Sequence, residues 1–456
     1  MRKVLIANRS EIAVRVIRAC HDLGLETVAV YSEADAESLH VLHAGEAICI
    51  GEAPSQKSYL KIANILSACE ITGADAVHPG YGFLSENADF ASICESCGVT
   101  FIGPSSNAIR LLGDKAKAKE TAKRAGCPII PGSDGPVHSV SEALTIARQL
   151  GFPVFIKAVS GGGGRGIRIA QNEREFEKLF LAARAEAQSS FGNSSVYLEK
   201  MIQNPRHIEV QLIGDQFGNF LHLGERDCTI QRRRQKLIEE SPSPFLTPAL
   251  RREICEAAVR VVKEAGYSSV GTVEFLVDPQ KNFYFMEVNT RVQVEHTVTE
   301  ELTGIDIVAQ QIRVAQGERL PWEQKDIQFS GHVFQLRINA EDPAHDFMPS
   351  PGRLEYYVAP GGPHVRVDSA CYAGYTIPPN YDSMIAKLIV RGSNRTETIA
   401  RALRALMEFH IGGVKTTIPF HIDMLRHKSF LDSEYDLEFV DRLLSSGYRF
   451  SHPPEG

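Results

Sequence analysis

The stretch F-Y-F-M-E-V-N-T-R-V-Q-V-E-H, Phe283 to His296, decides how the rest of the chain reads. Side chains of a strand alternate between two faces, so residues two apart share one. Tyr284, Met286, Val288, Thr290, Val292 and Val294 then form an almost wholly apolar face, and Phe283, Phe285, Glu287, Asn289, Arg291, Gln293 and Glu295 form the other. Hard cations take oxygen ligands, and Glu287 with Asn289 supplies two on one side of one strand. Arg291 and Glu295 follow in line, where an anion could be held beside a base. A half-solvated strand with a polar outer face would give the same pattern, so neighbouring segments must decide.

Going back along the chain, Val270–Val277 reads as the preceding strand, joined to this one by the turn Asp278–Asn282. It places Glu274 between Val273 and Phe275, where an isolated carboxylate is strained unless it shares a cation with Glu287. Pro248–Ala265 is expected as a helix, with Thr247 as N-cap. Pro205–Leu212 alternates, with Arg206 and His207 on opposite faces. Phe220–Leu223 is a strand, and Arg226–Lys236 is expected as a polar loop. Further upstream, P-V-F-I-K-A-V (Pro153–Val159) is a strand with Lys157 among apolar neighbours, and a buried ammonium needs an anion. Ser160–Gly166 follows, then the alternating Ile167–Ala170. The formal G-x-G-x-x-G at Gly161, Gly163 and Gly166 is trivial in such a run, but strand, glycine loop and strand make a hairpin flap able to close over phosphates. Ser194–Ile202 reads as one more strand.

At the start, Lys3–Ala7, a helix Ser10–Leu23 capped by Ser10 and stopped by Gly24, and Thr27–Tyr31 form a βαβ unit of a parallel sheet. Its first turn, Ala7-Asn8-Arg9-Ser10, lacks the dinucleotide fingerprint. Ala74–Val77 feeds His78–Asn87, where Gly80 and Gly82 permit either close backbone approach to a ligand or a plain turn. Asp114–Ala125 is a lysine-rich helix and Ser139–Leu150 an amphipathic one. Beyond the opening segment, His332–Glu341 is a strand with Gln335, Arg337 and Asn339 on its polar face. Ser383–Val390 is a strand, Thr396–Phe409 a helix, and a helix near Pro419–Leu425 is expected to finish the fold.

The chain has 456 residues, 43% hydrophobic and 23% charged, with net charge -7, which suits a globular protein of several lobes and argues against a general nucleic-acid binder. Nine scattered cysteines form no disulfide or zinc framework; Cys94 and Cys97 read as small helix residues. Lys3–Ala7 is too short for a signal segment and no stretch reaches membrane-spanning length, so a cytoplasmic protein with no membrane association is expected.

A lysine before a glycine flap, a second lysine upstream, and two acids with an amide for a divalent metal add up to a nucleoside triphosphate site. Neither the Walker A pattern nor the protein-kinase motifs occur. The combination resembles the ATP-grasp enzymes, and within them the biotin carboxylase subunits of acetyl-CoA carboxylase. The motifs that carry the resemblance are I-A-N-R-S-E-I-A (Ile6–Ala13), H-P-G-Y-G-F-L-S-E-N (His78–Asn87), the glycine flap, R-H-I-E-V-Q (Arg206–Gln211), E-R-D-C (Glu225–Cys228), E-V-N-T-R-V-Q-V-E-H (Glu287–His296), R-I-N-A-E-D (Arg337–Asp342) and Y-D-S-M-I-A-K (Tyr381–Lys387).

That resemblance implies an α/β protein of α+β organisation with an ATP-grasp fold: a Rossmann-like domain at 1–113, a linker helix and lid at 114–203, a core with the metal site at 204–330, a C-terminal antiparallel domain at 331–446 and a tail at 447–456. It implies that ATP and bicarbonate give carboxyphosphate, whose carboxyl passes to biotin. Lys115, Lys157, Gly163 and Gly164 would hold phosphates, and Glu199, Lys200, Met201 and Ile202 would line the adenine pocket. His207, Gln231 and Arg234 would also contact nucleotide. Glu274, Glu287 and Asn289 would bind Mg or Mn, at two sites. Lys236, Arg291 and the backbone of Val294 would hold bicarbonate, Glu295 would be the base, and Arg337 would stabilise the biotin enolate, with Tyr81 and Asp382 beside it. Biotin would sit on a separate carrier protein, because no Met-Lys-Met occurs here. Carboxyltransferase subunits and a second copy of the chain would be the other partners. Three departures stand out: Arg234 in place of the usual His, Ser160 in place of a glycine, and Ser241 and Ser243 in place of alanines expected to be neutral. Other ATP-grasp ligases share the nucleotide residues but not Arg291, Glu295 and Arg337 together with Y-D-S-M. A non-catalytic nucleotide sensor would be expected to lack the base or a metal ligand.

Overall fold

The computed structural model describes residues 1–158, 167–191 and 193–450. They form two compact units, one of 1–127, 206–275 and 287 onward, the other of 128–205 and 276–286.

The first unit opens with a parallel sheet. Strands β1 (Lys3–Ile6), β2 (Glu26–Ser32), β3 (Glu46–Gly51), β4 (Ala76–His78) and β5 (Thr100–Phe101) lie in the order β3-β2-β1-β4-β5. Short apolar strands covered on both faces are what a parallel sheet requires. Leu5, Val28, Val30 and Val77 pack on one face, and Val4, Ile6 and the helix residues Ile12, Val16 and Ile17 on the other. The helix runs Ser10–Asp22 with Arg9, not Ser10, at the cap. Where a dinucleotide fold has glycines, Asn8 uses its amide: Nδ2 donates to the carbonyls of Pro79 and Tyr81, both at 2.7 Å. Gly80 has φ +61, and a Cβ there would lie 2.8 Å from that nitrogen. Its glycine is thus required by the close approach of Asn8.

The second unit holds an antiparallel sheet, β7-β6-β8, of β6 (Val154–Ala158), β7 (Ile167–Ala170) and β8 (Val196–Lys200). The flanking strands of the expected flap are present and pair from Val154↔Ala170 to Lys157↔Ile167. Ser160, Gly163 and Gly164 lie outside the described residues. The helix Glu173–Phe191 between β7 and β8 was not foreseen from the sequence; its Phe176 and Phe180 join Val154, Ile156 and Leu198 in the core of this unit.

The largest sheet has eight strands, beginning β13-β12-β9-β10-β11-β14 and continuing through Met384–Gly392 to Val365–Ser369. Its members are β9 (Arg206–Gly214), β10 (Phe220–Arg232), β11 (Gln235–Ser241), β12 (Ser269–Val277), β13 (Phe283–Asn289) and β14 (His332–Asn339). The expected loop at Arg226–Lys236 is incorrect. Strand β10 runs on to Arg232, Arg233 and Arg234 make the turn at φ +48 and +67, and β11 returns. Charge density suggested a loop because buried ions are costly, but Arg226 meets Glu209 on the adjacent strand, Lys236 reaches Glu209 and Glu274, Arg232 pairs with Asp346, and Arg233 and Arg234 stay exposed. The C-terminal core gathers Phe334, Leu336, Leu388, Phe420 and Phe430. Two further helices, Lys428–Leu431 and Phe439–Ser445, follow the one expected to end the fold. Among the described residues no helix is long and apolar enough to cross a membrane.

Candidate active site

The opening segment is strand only to Asn289. Its order of side chains is therefore not a strict two-residue spacing as far as Glu295. The ladder stops because Glu86, from the loop after β4, takes the Thr290 amide (3.1 Å) and Arg291 Nε (3.0 Å). The chain then turns into the helix His296–Thr303, with Glu295 at its N-cap. On the strand portion, Phe283, Phe285 and Asn289 are buried on one face, but Glu287 on that face is half-exposed and Val288 on the other is buried, so neither face is wholly inward.

Behind that turn lies an ion cluster built from every surrounding strand. Lys236 Nζ on β11 lies 2.5 Å from Glu209 Oε2, 3.0 Å from Glu274 Oε1 and 2.6 Å from Glu295 Oε1. Arg337 on β14 holds the other Glu295 oxygen at 2.9 Å and Glu239 at 2.6 Å. Glu209 also accepts from Arg226 Nε at 2.6 Å, and the rest of that guanidinium is taken by Gln211, Thr299 and Gln293 at 2.7–2.9 Å. Arg226 and Glu209 are cross-strand partners in the β9–β10 ladder and are wholly buried. Removing one member of such a pair strands the other charge and costs about 3–5 kcal/mol.

The charges tune each other. Burial pushes the Glu295 carboxyl up, but Lys236, Arg337 and Arg226 outweigh it and hold the group far below the ordinary carboxylate range. Glu274 is likewise depressed against burial, by Lys236 and His207. Burial opposes the charge on Lys236, yet Glu209, Glu274 and Glu295 drive its ammonium well above the ordinary value. Glu239 goes the other way: burial raises it, Arg337 opposes, and the charge of Glu295 adds to the rise.

Toward solvent, Asn289 Nδ2 donates to Glu274 Oε1 at 2.9 Å, and His207 Nε2 lies 3.0 Å from Glu274 Oε2. Gln231 holds the other His207 nitrogen at 2.7 Å. Arg291 Nη2 donates to Asn289 Oδ1 at 2.9 Å. Glu287 is half-exposed, with Lys115 Nζ at 3.8 Å. Its carboxyl is raised by burial and by the charge of Glu274, which Lys115 offsets only in part. Glu274 and Glu287 offer carboxylate oxygens that a hard divalent cation could take, while the Asn289 oxygen is engaged by Arg291 and its Nδ2 faces Glu274.

The structure therefore brings Lys236, Glu295, Arg337, Glu274, Asn289, Arg291, His207 and Gln231 together, with Glu287 and Lys115 at the edge. Tyr81 hydrogen-bonds Glu11, and the Val294 carbonyl accepts from Lys387 at 3.2 Å. Asp382 accepts from the Met384 amide at 2.8 Å. Arg234 is exposed at the β10–β11 turn. On the second unit, Lys157 finds its anion in Glu199, and Lys200 Nζ donates to the Leu150 carbonyl at 2.8 Å. The Met201 amide donates to Pro153 at 3.1 Å, and Ile202 is buried. Sequence reasoning missed Glu209, Arg226, Glu86, Glu11 and Lys387. Glu209 and Gln211 share a strand face in R-H-I-E-V-Q, which was the available signal for the first of these. Ser241 and Ser243 also make contacts: their hydroxyls donate to the Glu225 carbonyl at 2.5 Å and to Asp227 at 2.8 Å.

Comparison with known proteins agrees with this architecture. The biotin carboxylase N-terminal domain matches residues 1–109, the ATP-binding domain of the carbamoyl-phosphate synthase L chain matches 114–323, and the biotin carboxylase C-terminal domain matches 335–442. Biotin carboxylase 1 of Bacillus subtilis is 55% identical over 97% of this chain and 98% of its own length. The crystal structure of a Campylobacter jejuni biotin carboxylase–βγ-ATP complex superimposes with TM-score 0.90 at 49% identity, covering 97% of this chain and 98% of that one. The biotin carboxylase domain dimer of Hydrogenobacter thermophilus 2-oxoglutarate carboxylase, solved with MgADP, ADP and bicarbonate, has TM-score 0.90 at 50% identity and 99% coverage of both. The chain is an ATP-grasp enzyme and belongs to the biotin carboxylase family.

Proposed function

We propose that the chain carries out the first half-reaction of acetyl-CoA carboxylase, the ATP- and bicarbonate-dependent carboxylation of biotin borne by a separate carrier protein, in the cytoplasm and as a homodimer. The supporting observation is Glu295, held between Lys236 Nζ at 2.6 Å and Arg337 Nη2 at 2.9 Å. A carboxylate in that setting is ionised at every working pH and can accept a proton only from a group the same cations acidify. Bicarbonate bound by Lys236, Arg291 and the Val294 backbone is such a group. Glu295 takes its proton, and the resulting oxyanion attacks the γ-phosphorus of ATP, forming carboxyphosphate as the bond to ADP breaks. The C–O bond of carboxyphosphate then breaks and phosphate leaves, taking up the proton of the biotin ureido nitrogen, to which the carboxyl passes; Arg337 stabilises the enolate oxygen formed, with Tyr81 and Asp382 alongside.

Glu274, Glu287 and Asn289 would hold Mg or Mn, which neutralises triphosphate charge when bound. His207, Gln231, Arg234 and Lys115 are assigned to the nucleotide on the first unit. Lys157, Gly163 and Gly164 are assigned to phosphates, and Glu199 to Ile202 to adenine, on the second. The nucleotide, Mg and bicarbonate seen in the Hydrogenobacter thermophilus structure support these ligands. That relative is a 2-oxoglutarate carboxylase domain, so another acceptor is the second reading.

ADP release with and without bicarbonate and free biotin tests the chemistry. Biotin-stimulated, bicarbonate-dependent turnover is expected, and its absence would sink the proposal. Reconstitution with carrier and carboxyltransferase, supplied with acetyl-CoA or 2-oxo acids, tests the acceptor.

A further inference from the structure

Lys387 is a wholly buried cation with no part in the chemistry described so far. It lies on Met384–Gly392, directly across the ladder from Arg337 on one side and Asp368 on the other. An ammonium opposite a guanidinium is unfavourable in a sheet, and a buried ion pair seldom stabilises a fold better than packed apolar groups. Stability alone therefore does not account for a lysine at this place.

Its contacts offer a different account. Nζ lies 2.9 Å from Glu11 Oε2 and 3.9 Å from Asp368 Oδ2, and donates to the Val294 carbonyl at 3.2 Å. That carbonyl belongs to the peptide that joins Val294 to Glu295, in the turn where β13 has ended and the next helix has not begun. Glu11, in the first turn of the helix Ser10–Asp22, is buried and accepts the Tyr81 hydroxyl with its other oxygen. The loop carrying Tyr81 is also clamped by Asn8.

We infer that Lys387 and Glu11 are a positioning pair: Lys387 fixes the peptide that aims Glu295, and Glu11 ties the same ammonium to the Tyr81 hydroxyl, so that the proton-accepting carboxylate and the biotin-facing phenol keep a set separation. Both side chains are buried, at 0% and 3% exposure, and act through the groups they hold. A displacement of about 1 Å in a catalytic group can cost about a hundredfold in rate, which is the leverage such a pair would exert.

The inference rests on the biotin carboxylase reading, so the wild-type enzyme is assayed first; lack of biotin-stimulated turnover there would count against that reading and not against the pair. In an active enzyme, Lys387→Met is expected to lower kcat for bicarbonate-dependent ATP cleavage without biotin by about tenfold or more, and to raise KM for free biotin, with ATP affinity retained. Glu11→Gln combined with Lys387→Met removes both charges. It should recover the melting temperature lost in the single variant but not the turnover. Recovery of both would show a purely structural ion pair and overturn the inference, as would wild-type kinetics in Lys387→Met. Should these variants not fold, Glu11→Asp keeps both charges and retracts the carboxylate from Tyr81 and Lys387 together. It is expected both to raise KM for biotin and to lower biotin-independent cleavage, with ATP affinity retained; wild-type values of either would overturn the inference.

Discussion

The two ends of the site are built on opposite principles. Around Lys236, Glu295, Arg337, Glu209 and Arg226, every charged side chain is at most 14% exposed and already bonded to another side chain. At Glu287 and Lys115 the side chains are 41% and 84% exposed and stand 3.8 Å apart. The inner cluster is pre-organised: its dipoles and charges need no rearrangement cost at the moment of reaction. The outer edge is loosely held, and a carboxyl raised by a like-charged neighbour gains most from an arriving cation. Proton transfer is thus assigned to the rigid end and ligand capture to the adaptable one.

The sharpest way to break this contrast is Glu295→Gln. Bicarbonate-dependent ADP release should fall by about 10²–10⁴-fold, the usual range for a general base, while equilibrium nucleotide binding persists. Unchanged turnover would remove Glu295 as the base. Next, Arg226→Met leaves Glu209 buried with only Lys236, and should cost about 3–5 kcal/mol of stability in denaturant titration; a loss below about 1 kcal/mol, the scale of a surface pair, would show the inner cluster to be loosely held. Glu287→Gln should raise the Mg concentration for half-maximal turnover about tenfold with the melting temperature unchanged, the signature of an edge that binds ligand but does not hold the fold. A shift in melting temperature without a shift in Mg dependence would reverse that assignment.

The smallest effect expected is on acid stability. Burial lowers His40 and His421 to about 4, so in the native protein they stay neutral where the unfolded chain binds protons. The unfolded state therefore takes up more protons between the ordinary histidine value and about 4, and stability must fall as pH is lowered through that window. Glu240 extends the loss: burial would raise it, but its hydrogen bond to His332 and the charge of Arg395 hold it at about 2. Its stabilisation is complete above the ordinary carboxylate value and disappears as pH falls toward 2. Melting temperatures across this range should decline monotonically on acidification; a plateau from pH 7 to pH 4 would contradict the buried neutral histidines.

The sequence was informative where local pattern and chemistry coincide. The parallel βαβ start and the strands on either side of the glycine run follow from periodicity, and that Glu274 is no isolated charge follows from the cost of burying one, although its partners are Lys236, His207 and Asn289. It was misleading where the answer depends on register. Arg226 falls in the expected polar loop and local pattern gives Glu209 no role; only the β9–β10 ladder that sets them opposite makes them a buried pair. The same ignorance of pairing made Arg226–Lys236 look like a loop, although Arg226 and Lys236 are satisfied by Glu209 on β9, Glu274 on β12 and the turn before the helix His296–Thr303. The alternation from Phe283 to Glu295 failed at Asn289 because Glu86, distant in sequence, takes the next amide. Nothing within the stretch itself encodes that interruption.

One feature of the inner cluster bears on selectivity. An ammonium has three N–H donors, and Lys236 spends its on Glu209, Glu274 and Glu295. In the reaction proposed above, bicarbonate bound at Lys236 would exchange with a carboxylate already in place, and its affinity would be the difference between two ion pairs and not the full strength of one, so that it would bind weakly and leave readily. Occupancy then tracks concentration over a wide range, and an anion that cannot surrender a proton to the displaced carboxylate gains nothing from the exchange.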